Sequence, residues 1–222
     1  MEALHSVLSS GGLLLGWIVL MLASQVMLIG DLRWHNAHLM GLMKLVWVLT
    51  VLYSGPMGLA IYWTCGRKEM TRDTLSRRAF RSVAHCYSGC GMGEITGLFI
   101  AVGLLQLGTT SVALLTFALA YLAGYALTVG PLVQEGTSLK TALWDAFLAE
   151  TPSITVMEVV AIGLDLAISG SAGIAEPLFW NSMILSLGCG LLAAWPVNAL
   201  LIRHGVKEGM MDPRHGTECA SR

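Results

Sequence analysis

The sequence predicts an all-α, polytopic integral membrane protein, and three observations support this prediction. Hydrophobic residues make up 55% of the 222 residues, only 12% are charged, and the mean hydropathy is +0.68. A soluble domain carries roughly a quarter charged residues. The apolar residues also gather in stretches long enough to cross about 30 Å of hydrocarbon as helices. Soluble enzymes and disordered chains are therefore disfavoured.

Six apolar stretches are predicted to span the membrane, in a single transmembrane domain at 1–205 followed by a short cytoplasmic tail at 206–222. The first stretch has no basic segment before it and no cleavage pattern, so we expect it to be retained. The second contains a Gly-Pro break at 55–56 that we expect to kink it. The fifth is interrupted by Glu158 and Asp165. The six spans are 11–30, 39–64, 79–106, 110–133, 153–169 and 177–202.

The distribution of Lys and Arg predicts the orientation of these spans. With six crossings, eleven of the thirteen basic residues fall on one side, and Arg33 and Lys44 remain on the other. We therefore expect both termini to be cytoplasmic, in a multi-pass protein of the inner (plasma) membrane. The eleven residues are Arg67, Lys68, Arg72, Arg77, Arg78, Arg81, Lys140, Arg203, Lys207, Arg214 and Arg222.

The third span contains the most informative motif, HCYSGCGMGE, which begins at residue 85. Cys86, Cys90 and Glu94 are spaced four residues apart and so share one stripe of a helix. The neighbouring stripe also has a spacing of four and consists of small residues, which let another helix approach closely. We therefore expect the thiols and the acid to border a tight helix–helix contact. The glycines of the packing stripe are Gly89, Gly93 and Gly97.

The same motif suggests a metal site, because two thiols and an imidazole suit Cu(I) or Zn(II) better than Mg(II) or Ca(II). The expected ligands are His85, Cys86, Cys90 and Glu94. Glu94 lies near the bilayer midplane, where an ionisable residue indicates function by default. A structural alternative is a protonated Glu94 hydrogen-bonded to a neighbouring helix.

Four further residues are candidates for an outer shell around this site. Glu158 either supplies a ligand or reaches to water at the cytoplasmic interface. Asn198 follows a Trp-Pro break in the sixth span, at a depth similar to that of His85, so we expect both on the wall of a cytoplasm-facing cavity. Met57 and Met92 carry thioethers that suit a soft ion, although methionine is more often apolar filling.

Three stretches of the sequence resemble a family of prokaryotic membrane proteins, domain of unknown function 4396. They read VWVLTVLYSGPMGLAIY, SVAHCYSGCGMGEI and WPVNALLIRHGVKEGM, and together they cover 46–210. The resemblance implies a compact multi-helix membrane domain and no known activity. Glu94 stands where the family has Asp, which moves the carboxyl group outward by one methylene. The hallmark positions are His85, Cys86, Gly89, Cys90, Gly93, Glu94, Pro196 and Asn198.

The leading hypothesis is binding of a thiophilic metal ion, such as Cu or Zn, for transport or homeostasis. A membrane thiol–disulfide oxidoreductase that uses Cys86 and Cys90 is the first alternative, although their side chains are nearly parallel on a helix and need local unwinding to bond. A non-catalytic scaffold is the second. The expected partners are the lipid bilayer and a metal ion, and a homo-oligomer is left open. With a net charge of −1 the chain has no overall basic field, so we do not expect nucleic acid as a partner.

Overall fold

The computed structural model describes residues 2–70, 72–134, 136–170, 172–209 and 212–214. Within these residues the chain forms seven α-helices and no strand, so the predicted all-α class is confirmed. Five of the helices (α2, α3, α5, α6 and α7) are long and apolar enough to cross a membrane. The helices are α1 Glu2–Leu8, α2 Gly11–Trp34, α3 Gly41–Cys65, α4 Leu75–Leu98 with a π-helical extension Phe99–Leu104, α5 Thr109–Gln134, α6 Leu139–Ser169 and α7 Pro177–Arg203.

Helix α4 lies at the centre of the bundle and packs against α3, α5, α6 and α7. It is less apolar than its neighbours because it contains arginines near its start and Glu94 in its second half. Sixteen of its 24 residues are nevertheless buried. Polar side chains in a membrane protein avoid lipid by facing other helices. The apolar helices thus enclose the one helix that carries the predicted site.

Helix α3 is a helical hairpin and not a straight span. Gly55 has φ +52° and ψ −126°, which reverses the chain between an ascending arm, α3a (41–54), and a descending arm, α3b (56–65). The rings of Trp47 and Tyr62 consequently lie 5.3 Å apart. Fifteen residues of straight helix would separate them by about 22 Å. The Gly-Pro break predicted as a kink is therefore a complete turn.

Both arms of this hairpin meet the same end of the bundle. The Tyr62 hydroxyl donates a hydrogen bond of 2.6 Å to Asp31, in the last turn of α2, and Arg67 forms a 2.9 Å ion pair with the same carboxylate. The tip at Gly55 lies against Trp17, in the second turn of α2. With 14 residues in the ascending arm, the hairpin enters the bundle by about 21 Å and returns.

The two described ends of the chain lie at opposite ends of the bundle. Asn181, in the first turns of α7, donates a 2.7 Å hydrogen bond to the carbonyl of Leu8. At the other end of α7, the carbonyl of Pro213 lies 2.8 Å from the His38 ring. Six crossings would put His38 and Pro213 on opposite faces of the membrane. The prediction that both termini share one face does not fit this arrangement, because α3 turns back.

Helix α6 begins fourteen residues before the predicted fifth span, at Leu139 and not at residue 153. The charged residues Lys140, Asp145 and Glu150 make this part of the sequence resemble a loop. However, Ala142 and Ala146 recur every four residues and pack against α5. Glu150 continues the same buried face, and the helix runs through Pro152.

The segment after α7 is not a free tail over its described part. Lys207 is only 8% exposed, and the guanidinium of Arg78 donates a 2.7 Å hydrogen bond to the carbonyl of Glu208. Hydrogen bonds from Arg214 lower the pKa of Asp212 to about 2, so this pair stays charged at neutral pH. We call residues 204–209 and 212–214 the strap. The other tail residues, 210–211 and 215–222, lie outside the described part of the chain.

Candidate functional site: an acid–thiol cluster inside the bundle

The two predicted thiols face α6 from the centre of α4. Cys86 and Cys90 are 2% and 0% exposed, and both are free thiols whose side chains interact with each other. The carboxyl group of Glu158 on α6 lies next to the Cys90 thiol. Because Cys86 and Cys90 are one turn apart on α4, a single acid on the facing helix can adjoin both. We call these three side chains the acid–thiol cluster.

Glu158 is the most unusual member of this cluster. Its side chain is 0% exposed, and neither carboxyl oxygen has a hydrogen-bond partner of normal geometry among the described residues, although the Cys90 thiol is a close polar neighbour. The alternative in which it reaches to water is therefore wrong. An isolated carboxylate in such surroundings is costly. The group is consequently expected either as the neutral acid or as a ligand of a bound cation.

Glu94 is a second buried acid in the same interior. It is 2% exposed, and its Oε2 atom has no hydrogen-bond partner in the described part of the chain. It lies one turn beyond Cys90, and its nearest acidic neighbours are Glu158 and Asp165. The charged groups that act on it are thus both acidic. The alternative of a protonated Glu94 that is hydrogen-bonded to a neighbouring helix stays a prediction, because only the Oε2 atom lacks a partner among the described residues.

The glycine stripe of α4 packs against α5. A Cβ atom added at Gly89 would lie 2.8 Å from the Cα of Gly124, and one added at Gly97 would lie 2.9 Å from the Cα of Thr116. Gly93 is closer still, with the Cα of Ala120 at 2.6 Å. Side chains at these positions would push the two backbones apart. The small residues thus hold α4 at the distance that encloses the thiols.

Replacing Gly93 with Ala is expected to lower the stability of the folded protein by about 1–3 kcal/mol, because the added methyl group meets backbone that cannot move alone. The measurement is the thermal unfolding midpoint in detergent. Gly163→Ala is the matched control, because this helical glycine has open space around its Cβ position. The packing interpretation is wrong if the two variants unfold at the same temperature.

His85 faces a different part of the interior from the thiols. It is 4% exposed, and its ring lies beside the backbone of Leu127 on α5. The charged groups that act on it are Glu150 and Lys207. Its Nδ1 atom has no partner among the described residues. The predicted four-ligand set is therefore divided, with His85 nearer the end of the bundle that carries the strap.

Asn198 connects the cluster to the strap through hydrogen bonds. Its amide nitrogen donates to the Ser153 hydroxyl at 2.5 Å, and its oxygen accepts from Ser82 at 2.9 Å and from Lys207 at 3.2 Å. The Ser153 hydroxyl in turn lies 4.0 Å from the Cys86 sulfur. Helix α7 runs through Pro196 without interruption, so Asn198 is held on a continuous helix.

The two methionines proposed for the outer shell lie elsewhere. Met92 is 40% exposed on the outside of the bundle. Met57, beside the hairpin tip, lines a lateral apolar cavity of about 350 Å³ together with Gly188 and Cys189. Spacing along the sequence does not reveal this, because the hairpin rotates residues after Gly55 away from the face they would occupy on a straight helix.

Four residues of the site were missed at the sequence level: Ser82, Glu150, Ser153 and Lys207. Glu150 lies in the part of α6 that precedes the predicted fifth span, and Ser153 is the first residue of that span but has no predicted role in the site. Lys207 lies in the part assigned to the tail. The four-residue spacing of Ala142, Ala146 and Glu150 is the signal that extends α6 and brings Glu150 into the interior.

The cluster is not a preassembled metal centre. Among the described residues, no group of three or more His, Cys, Asp or Glu side chains has the geometry to hold a metal ion. The donor types nevertheless suit a soft cation, since two thiols adjoin a carboxyl group that lacks hydrogen bonds. Binding would therefore require the side chains of α4 and α6 to draw together around the ion.

The arrangement is less favourable for a disulfide between Cys86 and Cys90. Helix α4 is continuous across both residues, and parallel Cα–Cβ bonds must separate from the helix geometry before the sulfurs can bond. Glycines beside the thiols could ease such unwinding, but they are packed tightly. A Cβ atom at Gly91 would lie 2.7 Å from the Tyr53 ring, and Gly89 is pressed against α5.

Comparison with known proteins identifies a family but no close relative. The model of a domain of unknown function, DUF4396, matches residues 76–207, which is more than half of the chain and includes the acid–thiol cluster, Asn198 and Lys207. No curated protein and no solved structure matches the sequence.

Proposed function

Because the chain belongs to the DUF4396 family, whose function is unknown, we propose a function from its own side chains: it is a membrane protein that binds a thiophilic cation at Cys86, Cys90 and Glu158. The observation that carries this proposal is the fully buried Glu158 carboxyl group, which adjoins the Cys90 thiol and has no hydrogen bond of normal geometry among the described residues. A cation would supply the missing partner for both oxygens.

The chemistry of the donors selects the class of cation. Thiols bind soft or borderline ions such as Cu(I), Zn(II) and Cd(II) as thiolates, so they must lose their protons on binding. Two thiolates and one carboxylate carry three negative charges, so an ion with one or two positive charges leaves an excess. Glu94 would remain the neutral acid in that state, so that it adds no further negative charge to this excess. His85 joins the shell only if its ring turns from α5.

The interior position of the cluster supports transport or homeostasis of the ion over simple storage. Broken or re-entrant helices in membrane proteins line cavities and routes for ions. Here the hairpin α3 packs directly on α4, with the rings of Tyr53 and Tyr87 5.8 Å apart. The hairpin therefore supports the face of α4 next to the cluster.

The orientation we propose follows from the basic residues. All twelve described Lys and Arg side chains belong to the end of the bundle where α2 ends and α4 begins, and Arg222 lies outside the described residues. Positive residues favour the cytoplasmic side of the plasma membrane. We therefore place the strap in the cytoplasm and the start of α2 on the opposite side, with five crossings (α2, α4, α5, α6 and α7) and a re-entrant α3.

Metal binding by the purified protein tests the proposal. In detergent, the wild type is expected to bind one Cd²⁺ per chain at the cluster, with the ultraviolet absorption of cadmium–thiolate bonds. The double variant Cys86→Ser/Cys90→Ser is expected to lose this absorption. Glu158→Gln is expected to bind at least tenfold more weakly, because it removes a charged ligand and leaves the thiols.

A second double variant provides the control. Cys65→Ser/Cys189→Ser removes the two other described cysteines, which are free thiols outside the cluster, and it should bind Cd²⁺ as the wild type does. A wild type that binds no metal would contradict the proposal. So would unchanged binding after both Cys86 and Cys90 are replaced.

A further inference from the structure

A second group of buried polar side chains lies between the acid–thiol cluster and the cytoplasmic end of the bundle. It consists of Glu150, Asn198, Ser82 and Ser153, whose side chains are 3% exposed or less. These groups come from α4, α6 and α7, and the oxygens of Glu150 and Asn198 face a common point. We call them the entry group.

The ammonium group of Lys207 occupies that common point. Its Nζ atom lies 2.7 Å from Glu150 Oε2 and 3.2 Å from Asn198 Oδ1. A buried ammonium held by a carboxylate and an amide oxygen marks a position that is built for a positive charge. The lysine comes from the strap and not from a bundle helix, so the positive charge is supplied by a segment outside the seven helices.

The strap has the form of a short connection hinged on both sides of the lysine. Gly205 and Gly209 have φ values of +71° and +81°, which favour glycine. Between them, Val206 is 46% exposed, whereas Lys207 is 8% exposed. The strap therefore lies on the surface and inserts one long side chain into the bundle.

Beyond the lysine, the polar groups continue to the cluster. Asn198 donates a hydrogen bond to Ser153, and the Ser153 hydroxyl lies 4.0 Å from the sulfur of Cys86. Among the described residues, the hydrogen-bond chain from Lys207 to the first thiol thus runs through the Asn198 amide and the Ser153 hydroxyl. A small cation leaving the Lys207 position would meet oxygen donors before it meets sulfur.

We propose that the entry group is a cation-binding site on the cytoplasmic side of the acid–thiol cluster, and that Lys207 is a tethered plug that occupies it. This inference deepens the proposed function, on which it rests for the identity of the ion. Withdrawal of Lys207 leaves the Glu150 carboxylate and the Asn198 oxygen for a small mono- or divalent cation, and it opens Cys86 to water from the cytoplasmic side.

The rate at which Cys86 reacts with a charged, membrane-impermeant methanethiosulfonate tests the plug without any metal. The parent protein keeps Cys86 and has Ser in place of the other four cysteines. It is studied in inside-out and right-side-out vesicles, so that in one of them the reagent reaches the face of the protein that carries the Lys and Arg residues. Lys207→Ala is expected to raise the rate from that face at least tenfold.

Two further variants separate a plug from general loosening of the bundle. Arg203→Ala removes an exposed basic residue at the end of α7 and should leave the rate unchanged. The exchange Glu150→Lys/Lys207→Glu reverses the ion pair and should restore slow modification. The proposal is overturned if Lys207→Ala reacts as slowly as the parent, if Arg203→Ala reacts equally fast, or if the exchanged pair stays fast.

The outcome is independent of the cadmium experiment. Fast modification of Lys207→Ala in a protein that binds no Cd²⁺ would retain the plug and reject the thiophilic ion. If the wild type binds Cd²⁺ and the rate of Cys86 modification does not depend on Lys207, the acid–thiol cluster is retained as a metal site and the plug is rejected.

Discussion

Cysteines introduced at Ala37 and Glu208 are expected to react with an impermeant thiol reagent from the same side of the membrane. Cysteines at Ser9 and Ala175 are expected to react only from the opposite side. All four positions are exposed. The expected effect is all-or-none, because the hydrocarbon separates the two sets. The measurement is labelling in sealed vesicles of both orientations, on a background without other cysteines.

The position of residue 37 decides between two topologies. Six straight crossings put it on the side of residue 175, whereas a re-entrant α3 puts it on the side of residue 208. The contact between His38 and Pro213 favours the second arrangement. Labelling of Ala37→Cys together with Ala175→Cys would contradict it, and Glu208→Cys provides the internal reference for the cytoplasmic face.

The hairpin shows what hydropathy leaves undetermined. Residues 39–64 are apolar enough and long enough to cross the membrane, so length and composition alone predict a span. The only local sign of reversal is the pair Gly55–Pro56, and such a pair also occurs in kinked spans. The reversal depends on contacts between the two arms of the hairpin. At Gly58, α3b packs so closely on α3a that an added Cβ would lie 2.9 Å from the Thr50 carbonyl oxygen.

The site was predictable on one helix but not across helices. The four-residue spacing in α4 predicts that Cys86, Cys90 and Glu94 share one stripe, since that is a property of helix geometry alone. Which acid faces them depends on the register between α4 and α6, and no single sequence specifies it. Glu158 was therefore predicted only as an outer-shell residue, and Lys207 was assigned to the tail because its partners are 57 and 9 positions away.

Replacement of Gly55 with Val is expected to destabilise the protein by about 3 kcal/mol or more. The backbone at φ +52° and ψ −126° is essentially closed to a side chain with a branched Cβ, which costs about 1–3 kcal/mol. The Cβ would also lie 3.1 Å from the ring of Trp17, and overpacking of this kind costs about 1–3 kcal/mol. The measurement is the thermal unfolding midpoint, with Gly16→Val in the open environment of α2 as the control.

A second substitution separates the two causes of this loss. Trp17→Ala in the Gly55→Val background removes the ring that the valine would meet, so it should recover the steric part and leave the backbone part. Trp17 also lines the lateral cavity beside Met57, and its removal alone should cost stability through lost packing. The double variant should therefore be more stable than the sum of the two single losses predicts. If the two losses of stability simply add, the Trp17 ring does not restrict the tip of the hairpin. If Gly55→Val alone leaves the unfolding midpoint unchanged, the chain does not turn back at this residue.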